Sequence, residues 1–291
     1  MLRRFGKDAG SLLGVEIARD SIRILQLRRL RRRLQVVAWA LEPLSAQEQA
    51  DPGAVTAALA RAHRRSGTQQ RRVALALTAS QIICKRHSLP VDLPDIERET
   101  YLLAEAQSLF PIPLEDLALD FQVLGPTAGR SGFVDVLVGA CRQSLLEPMV
   151  LRIEEAGLEV GAVEVDSLVL ARTLPHGGRG PAALLSMDAG GMTLHRWPDR
   201  ALAWQADPRT NEGGRALASG EMLDEPTCLW VTGESICEAS AAAMAQRLGM
   251  RWALLEPLRG ADLAGLKEAD GLVAAAGAMT LAYGLALGGL Q

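Results

Sequence analysis

The most informative part of the sequence is Leu12-Leu13-Gly14-Val15-Glu16-Ile17-Ala18-Arg19-Asp20-Ser21-Ile22-Arg23-Ile24-Leu25-Gln26-Leu27. Two runs rich in Val, Ile and Leu flank a short polar turn, a pattern that predicts a β-hairpin. A similar pattern returns later, where strands are predicted from Ala182 to Met187 and from Thr193 to Trp197, joined by a Gly-Gly turn. The chain is therefore predicted to contain two halves that each open on a strand, a tight turn and another strand.

The composition limits the class of protein. With 291 residues, 48% of them hydrophobic and 22% charged, the chain has enough apolar material for one or two ordinary domains. That composition excludes a disordered, fibrous or disulfide-stapled protein. The four cysteines, Cys84, Cys141, Cys228 and Cys237, show no Cys-x-x-Cys or Cys/His ligand spacing. We therefore expect no zinc site and a reducing, cytoplasmic compartment.

Charge is distributed unevenly along the chain. Residues 1–72 carry a net charge of +9 and the remaining residues −12, within a total of −3. An Arg-rich run from Arg28 to Arg33 is predicted to form the tip between the second strand and a third strand, Leu34 to Leu41. Such a basic region suggests contact with anionic lipid or nucleic acid. A solvated Arg-rich face is an equal alternative, because 28 of the 31 basic residues are Arg.

Neither end of the chain shows a clear membrane signal. No apolar segment follows the basic N-terminal residues, so we expect no signal peptide. The 21 residues 271–291 carry no charge and are long enough to span a bilayer, but five Gly and six Ala dilute their five Leu. We predict a buried helix packed against a sheet, with a tail anchor as the alternative.

The middle of the chain predicts a compact α+β subdomain. It opens with a strand, which is followed by a helix that Asp95 caps and that runs to about Leu109. Outside this subdomain, residues 43–53 are predicted to form a loop. Strands at 118–124 and 133–141 are then followed by a helix at 144–156.

The two predicted hairpins suggest a binding chemistry. The backbone N–H groups of such a turn can bind phosphates, and an acidic residue at the strand end can hold a hydrated Mg²⁺. Two such hairpins facing each other across a cleft define the actin-like ATPase fold, which this sequence resembles. More closely, it resembles the PilM family of type IV pilus assembly proteins. The most specific match is the family's DFQVL stretch, here Asp120 to Leu124, and the resemblance also rests on residues 14–23, 89–90, 105–116, 136–142, 154–172, 186–193 and 213–215.

The resemblance implies an α/β fold, actin-like, with duplicated ribonuclease H-like domains, an inserted α+β subdomain and a truncated second lobe lacking most of subdomain 2B. Its implied boundaries are residues 1–83 with 160–180 for subdomain 1A, 84–159 for the inserted subdomain 1C, and 181–291 for subdomain 2A with a vestigial 2B at 216–228.

A nucleotide site is implied by the same resemblance. Its residues would be Gly14, Glu16, Ala18, Ser21, Arg23, Asp188, Gly190, Gly191, Thr193, Gly233 and Glu234, with Asp188 as the Mg²⁺ ligand. The sequence departs from the family pattern at Glu16, Ala18 and Arg23, where the family shows Asp, Gly and Lys. ATP and Mg²⁺ are therefore possible ligands, but we expect no required cofactor, no hydrolysis and no catalytic residue.

The implied function is that of an adaptor at the cytoplasmic face of the inner membrane, a pseudo-ATPase of pilus or competence machinery. It would bind the N-terminal cytoplasmic peptide of the single-pass membrane protein PilN, in a groove between the first and second units, and link it to motor or platform components. The arginines expected to face anionic lipid are Arg28, Arg29, Arg31, Arg32 and Arg33. Nucleic acid is not an expected partner.

Two alternatives stay open. One is a genuine nucleotide-binding actin-like ATPase, and the other is a protein related to the cytoplasmic domain of type II secretion protein L, which shares the fold. The sequence also leaves open whether the system is a pilus, a pseudopilus or a DNA uptake apparatus.

Overall fold

A computed structural model describes residues 11–31, 33–175, 182–197, 204–206 and 228–290. These residues fall into two compact units, which are described separately. The smaller unit is Leu77–Leu151, and the larger unit contains the described residues before and after it.

The described strands are β1 (Leu13–Ile17), β2 (Ser21–Leu30), β3 (Arg33–Pro43), β4 (Arg72–Leu77), β5 (Ile82–Pro90), β6 (Leu117–Pro126), β7 (Phe133–Arg142), β8 (Glu159–Val165), β9 (Ala182–Asp188), β10 (Gly191–Trp197), β11 (Trp204–Ala206), β12 (Cys228–Thr232) and β13 (Arg251–Leu254). The described α-helices are α1 (Ala46–Ala50), α2 (Pro52–Ser66), α3 (Asp95–Leu109), α4 (Gln143–Glu155), α5 (Asp166–Thr173), α6 (Glu238–Leu248), α7 (Ala269–Ala274) and α8 (Thr280–Gly288).

The larger unit contains two five-stranded sheets with matching topology. Their strand orders are β3-β2-β1-β4-β8 and β11-β10-β9-β12-β13. In each sheet the opening hairpin is antiparallel, β1 with β2 and β9 with β10. The next strand is then parallel to the first, β4 to β1 and β12 to β9. The duplicated hairpins predicted from the sequence are confirmed.

The C-terminal residues form two short helices rather than one. No helix of the described residues is long and apolar enough to cross a membrane. Helix α8 packs against β1 so closely that a Cβ on Gly14 would lie 2.0 Å from the Ala282 carbonyl oxygen. The buried position against a sheet that the sequence predicted is confirmed, and the absent side chain at Gly14 is what permits it.

The smaller unit is an antiparallel sheet, in the order β5-β7-β6, with α3 and most of α4. Its core combines one face of the sheet with the inner side of α3, where Leu102 and Phe110 pack on Val136 and Val138. The predicted Asp95 cap is wrong, since Pro94 is the N-cap and makes no side-chain cap bond. Asp95 is instead the first helical residue, and its carboxylate pairs with Arg98 at 2.9 Å.

Two further expectations are corrected. The loop expected over residues 43–53 contains α1, because Ser45 and Glu48 form a capping box. The Arg-rich connection is shorter than predicted, since β2 continues to Leu30 and β3 begins at Arg33. Arg31 adopts a φ of 55° in the tight turn between these strands.

Candidate functional site

The two duplicated hairpins meet at Arg23, on β2. Its side chain is only 2% exposed and lies among four carboxylates. Glu16 belongs to β1 and Asp20 to the turn that follows it, whereas Asp188 ends β9 and Glu234 follows β12. The first sheet and the second sheet therefore each contribute two carboxylates to one buried guanidinium, and these five residues are called the Arg23 cluster below.

The contacts of Arg23 use all of its nitrogens. Nη1 lies 3.2 Å from Glu16 and 3.7 Å from Asp188, and Nη2 lies 3.0 Å from Glu234 and 3.4 Å from Asp20. Nη1 also donates to the Ala278 carbonyl oxygen at 3.2 Å, and Nε donates to the Ser21 hydroxyl at 3.0 Å. A planar guanidinium with five donors suits this divergent arrangement better than an ammonium.

The electrostatics of the Arg23 cluster are dominated by burial and by the surplus of acids. Burial raises the pKa of Glu16 to about 7, against the attraction of Arg23. Burial also raises the pKa of Asp188. Burial acts to lower the pKa of Arg23, but the four carboxylates reverse that effect and raise it. Arg23 therefore stays charged, and Glu16 is the member poised to take up a proton near neutral pH.

The Arg23 cluster brings together Glu16, Arg23, Asp188 and Glu234 from the predicted nucleotide site. In this arrangement the guanidinium is already bonded by carboxylates, and their surplus negative charge disfavours a phosphate group beside them. Asp188, the predicted Mg²⁺ ligand, instead accepts the Glu234 N–H at 3.3 Å. Among the described residues, no group of three or more His, Cys, Asp or Glu side chains is arranged so that it could hold a metal ion.

Several turn residues of the predicted nucleotide site are hydrogen-bonded or packed within the protein. The Ala18 N–H donates to the Ser21 carbonyl within the first hairpin. Gly233 lies against Met187, whose carbonyl oxygen would be 2.1 Å from a Cβ, and a Cβ on Gly277 would be 2.4 Å from the Gly233 oxygen. The backbone at Gly233, one of the predicted nucleotide-site residues, is thus packed against its neighbours. Gly190, by contrast, faces open space, with no atom within 4 Å of an added Cβ. The two other predicted residues, Gly191 and Thr193, lie on β10 in register with Asp188 and Ser186.

The Arg-rich tip of β2 and β3 projects into solvent. Arg28, Arg29, Arg31 and Arg33 are exposed, and Arg32 lies outside the described residues. Leu30 between them is 49% exposed. The tip thus presents an apolar side chain surrounded by cations, a combination typical of surfaces that adsorb to anionic lipid.

A cavity of about 380 Å³ lies in the larger unit, at the end of β1. It is lined by Ile17, Ala18, Arg19, Leu44, Gln49, Ala50, Pro52, Val55 and Arg152. The sequence does not predict this cavity, because its walls come from separate elements: β1, α1, α2 and the end of α4. The Ser45-x-x-Glu48 capping signal was the available hint that α1 forms one wall.

Comparison with known proteins agrees with this architecture. The family model described as "Type IV pilus assembly protein PilM" matches residues 14–185. The chain belongs to the PilM family. It also resembles the solved structure of a "PilM-PilN type IV pilus biogenesis complex", with a TM-score of 0.77 and 19% identity over 97% of this chain and 99% of that chain. The recognition of the PilM family and the actin-like fold are confirmed.

A second solved structure is also similar. It is the cytoplasmic domain of EpsL, an inner-membrane component of the type II secretion system of Vibrio cholerae, with a TM-score of 0.51 and 18% identity over 96% of this chain and 95% of that chain. PilM-family proteins and this domain therefore share a fold. The domain boundaries expected from the sequence stay predictions, and residues 216–227 of the expected vestigial 2B lie outside the described residues.

Proposed function

We propose that this PilM-family protein is an adaptor of type IV pilus assembly that binds the N-terminal cytoplasmic peptide of a PilN-like single-pass inner-membrane protein. The adaptor links that membrane protein to motor or platform components at the cytoplasmic face of the membrane. The single observation that carries the proposal is the family membership, together with the fold shared with a PilM-PilN complex.

The cavity at the end of β1 supports this proposal as a receptor for apolar side chains. Ile17, Leu44 and Val55 supply apolar walls, and the cavity is open to solvent beside Ala50. Peptide sites commonly combine such pockets with main-chain hydrogen bonds. We therefore assign the cavity as the pocket that accepts one or two side chains of the peptide.

A labelled synthetic peptide of the PilN-like N-terminus, titrated with the protein and followed by fluorescence anisotropy, tests both statements. Ala50→Trp fills the cavity and is expected to weaken binding about tenfold. Ala46→Trp, on the same helix but outside the cavity lining, is the matched control and should bind normally. Absence of binding to the wild type contradicts the adaptor, whereas equal binding to Ala50→Trp contradicts only the cavity assignment.

The adaptor is further proposed to work without a nucleotide cycle. The Arg23 cluster supports this, because Glu16, Asp188 and Glu234, which the family resemblance assigns to a nucleotide site, all lie against Arg23 of the same site. Isothermal titration with Mg-ATP is expected to give no saturable heat, and millimolar Mg-ATP no shift in melting temperature. Saturable binding would instead favour the actin-like ATPase.

The Arg-rich tip is proposed to contact the anionic inner leaflet. Each Lys or Arg near such a surface contributes about 1 kcal/mol. Charge reversal of Arg29, Arg31 and Arg32 to Glu is therefore expected to abolish sedimentation with phosphatidylglycerol vesicles. Reversal of the exposed arginines Arg64, Arg71 and Arg259 changes the net charge equally and is the control. Unchanged sedimentation of the tip variant would contradict this orientation.

The second candidate function is that of a type II secretion L-like component, favoured by the EpsL match. Co-purification with each system's inner-membrane partner separates the two. Retention of a type II secretion partner in place of the PilN-like peptide would favour the second candidate.

A further inference from the structure

Strand β6 forms an open edge of the smaller unit. It pairs with β7 on one side, and no other strand of the described residues pairs with it. Of its ten residues only Asp120 is charged, and Pro126 stands at the very end. Edge strands are normally blocked by Lys, Pro or several charges. The opposite edge, β5, follows that rule with Lys85 and Arg86, whereas the segment 117–123, called the β6 edge below, does not.

The β6 edge has backbone donors facing away from the sheet. The N–H of Phe121 donates to the Asp120 carboxylate at 2.8 Å rather than to a strand. Because the N–H and C=O groups of a strand alternate in direction from residue to residue, those of Leu119 and Val123 face the same open side. The Asp120 side chain thus occupies the place of a carbonyl group from a neighbouring strand.

Exposed apolar side chains are concentrated in the smaller unit. Thirteen large hydrophobic residues of the described chain are exposed, and nine of them lie between Leu77 and Leu151. Three of the nine flank or belong to β6: Leu114 is 45% exposed, Val123 39% and Leu124 37%. Apolar surface of this kind next to an open edge favours covering by another chain.

The charge of the smaller unit indicates what kind of chain would cover it. Between Leu77 and Leu151 there are ten Asp and Glu residues against five Lys and Arg, a net charge of −5. Two of the cations are already used within the unit, Arg98 with Asp95 and Arg142 with Asp116. A basic partner is therefore attracted to this unit and an acidic one repelled.

We propose that the β6 edge is a docking site for an extended, basic and aliphatic segment of a partner protein, which joins the sheet as a fourth strand. A carbonyl group of the segment accepts the Phe121 N–H in place of Asp120. The released Asp120 carboxylate pairs with a Lys or Arg of the segment, and aliphatic side chains of the segment cover Val123. This second interaction surface is separate from the cavity at the end of β1 and does not depend on the peptide proposed for it.

The test uses the full chain and a defined probe, the acetylated and amidated peptide Lys-Val-Arg-Leu-Lys-Val-Arg carrying a fluorophore. Val123→Pro removes one outward N–H while leaving the bonds to β7 in place, and is expected to weaken binding about tenfold. Val123→Thr keeps that N–H and is the matched control, expected to bind as the wild type does. A peptide with Glu at every Lys and Arg position should not bind.

A second variant and a second readout guard against a folding defect in Val123→Pro. Asp120 is exposed, so Asp120→Lys should keep the fold, measured by its melting temperature, and should also lose binding by charge repulsion. In the wild type, bound peptide should slow hydrogen exchange of the Leu119 and Val123 amides. The proposal is overturned if the wild type does not bind the basic peptide, if the acidic peptide binds equally, or if both variants bind normally.

Discussion

Arg23 and His195 are both basic side chains on the second strand of a duplicated hairpin, and each is only 2% exposed, yet their surroundings are opposite. Arg23 is surrounded by four carboxylates. His195 stacks on Trp197 with ring centroids 5.8 Å apart, and its Nδ1 has no hydrogen-bond partner within the described part of the chain. Burial accordingly lowers the pKa of His195 to about 4. One topology thus buries a charged base in the first hairpin and a neutral base in the second.

Arg23→Met removes the charged base of the first hairpin and has the largest expected effect on stability. It leaves four carboxylates at the junction of the two hairpins without their cation, and removing one partner of a buried ion pair costs about 3–5 kcal/mol. We expect a corresponding loss in the free energy of unfolding at pH 7.5, measured by urea denaturation. Arg23→Lys keeps the charge but not the divergent donors, so its free energy of unfolding should lie between those of the wild type and Arg23→Met. A loss below about 1 kcal/mol for Arg23→Met would show that the Arg23 cluster does not hold the hairpins together.

Gly14 and Gly190, one from each hairpin region, differ in how closely other atoms pack against them. A Cβ on Gly14 would clash with backbone of α8, whereas a Cβ on Gly190 would meet open space. Gly14→Ala is therefore expected to lower the free energy of unfolding by about 3 kcal/mol, at the upper end of overpacking effects. Gly190→Ala is the matched control and should change it by less than about 0.5 kcal/mol. Equal effects of the two would contradict a packing role for Gly14.

Local features of the fold could be predicted from the sequence, whereas contacts between distant segments could not. Both hairpins were predictable because alternation of apolar residues and tight turns are local signals. The resemblance grouped Glu16, Arg23, Asp188 and Glu234 in one site, but it did not predict that the carboxylates bond to Arg23, because Glu234 lies 211 residues from Arg23 and only the fold sets that contact. The resemblance assigned Gly14 to a phosphate contact, whereas the close approach of α8 that it permits depends on tertiary packing. The capping box of Ser45 and Glu48 is a local signal for α1, but the polar composition of residues 43–53 favours a loop.

His195 predicts a loss of stability in acid. Its folded-state pKa of about 4 lies below the ordinary 6.5, so the unfolded chain takes up a proton first as the pH falls. Between pH 7 and pH 5 this effect should lower the free energy of unfolding by about 2 kcal/mol. His195→Leu removes the titrating group, and its loss over the same interval, measured by urea denaturation, should be smaller by that amount. Identical pH dependence of variant and wild type would contradict the lowered pKa, and would mean that His195 is protonated or hydrogen-bonded in the folded state.

Titration of Glu16 is expected to change the free energy of unfolding with pH in the opposite direction from His195, and by the smallest amount. Its folded-state pKa of about 7 lies above the ordinary 4.5, so the folded chain holds a proton that the unfolded chain has lost. The stability that this proton contributes is complete below pH 4.5 and declines as the pH rises through 7. Glu16→Gln removes the titrating group and should flatten the dependence between pH 5 and pH 8 by about 1–2 kcal/mol, less than the pKa shift alone implies because the Glu16 side chain is 16% exposed to solvent. Gln26, on the same strand as Arg23 but outside the Arg23 cluster, provides the control: Gln26→Glu should leave the Glu16 transition in place. If Glu16→Gln instead left the dependence unchanged, the carboxylate would be ionised throughout this range, and Arg23 rather than burial would control its proton.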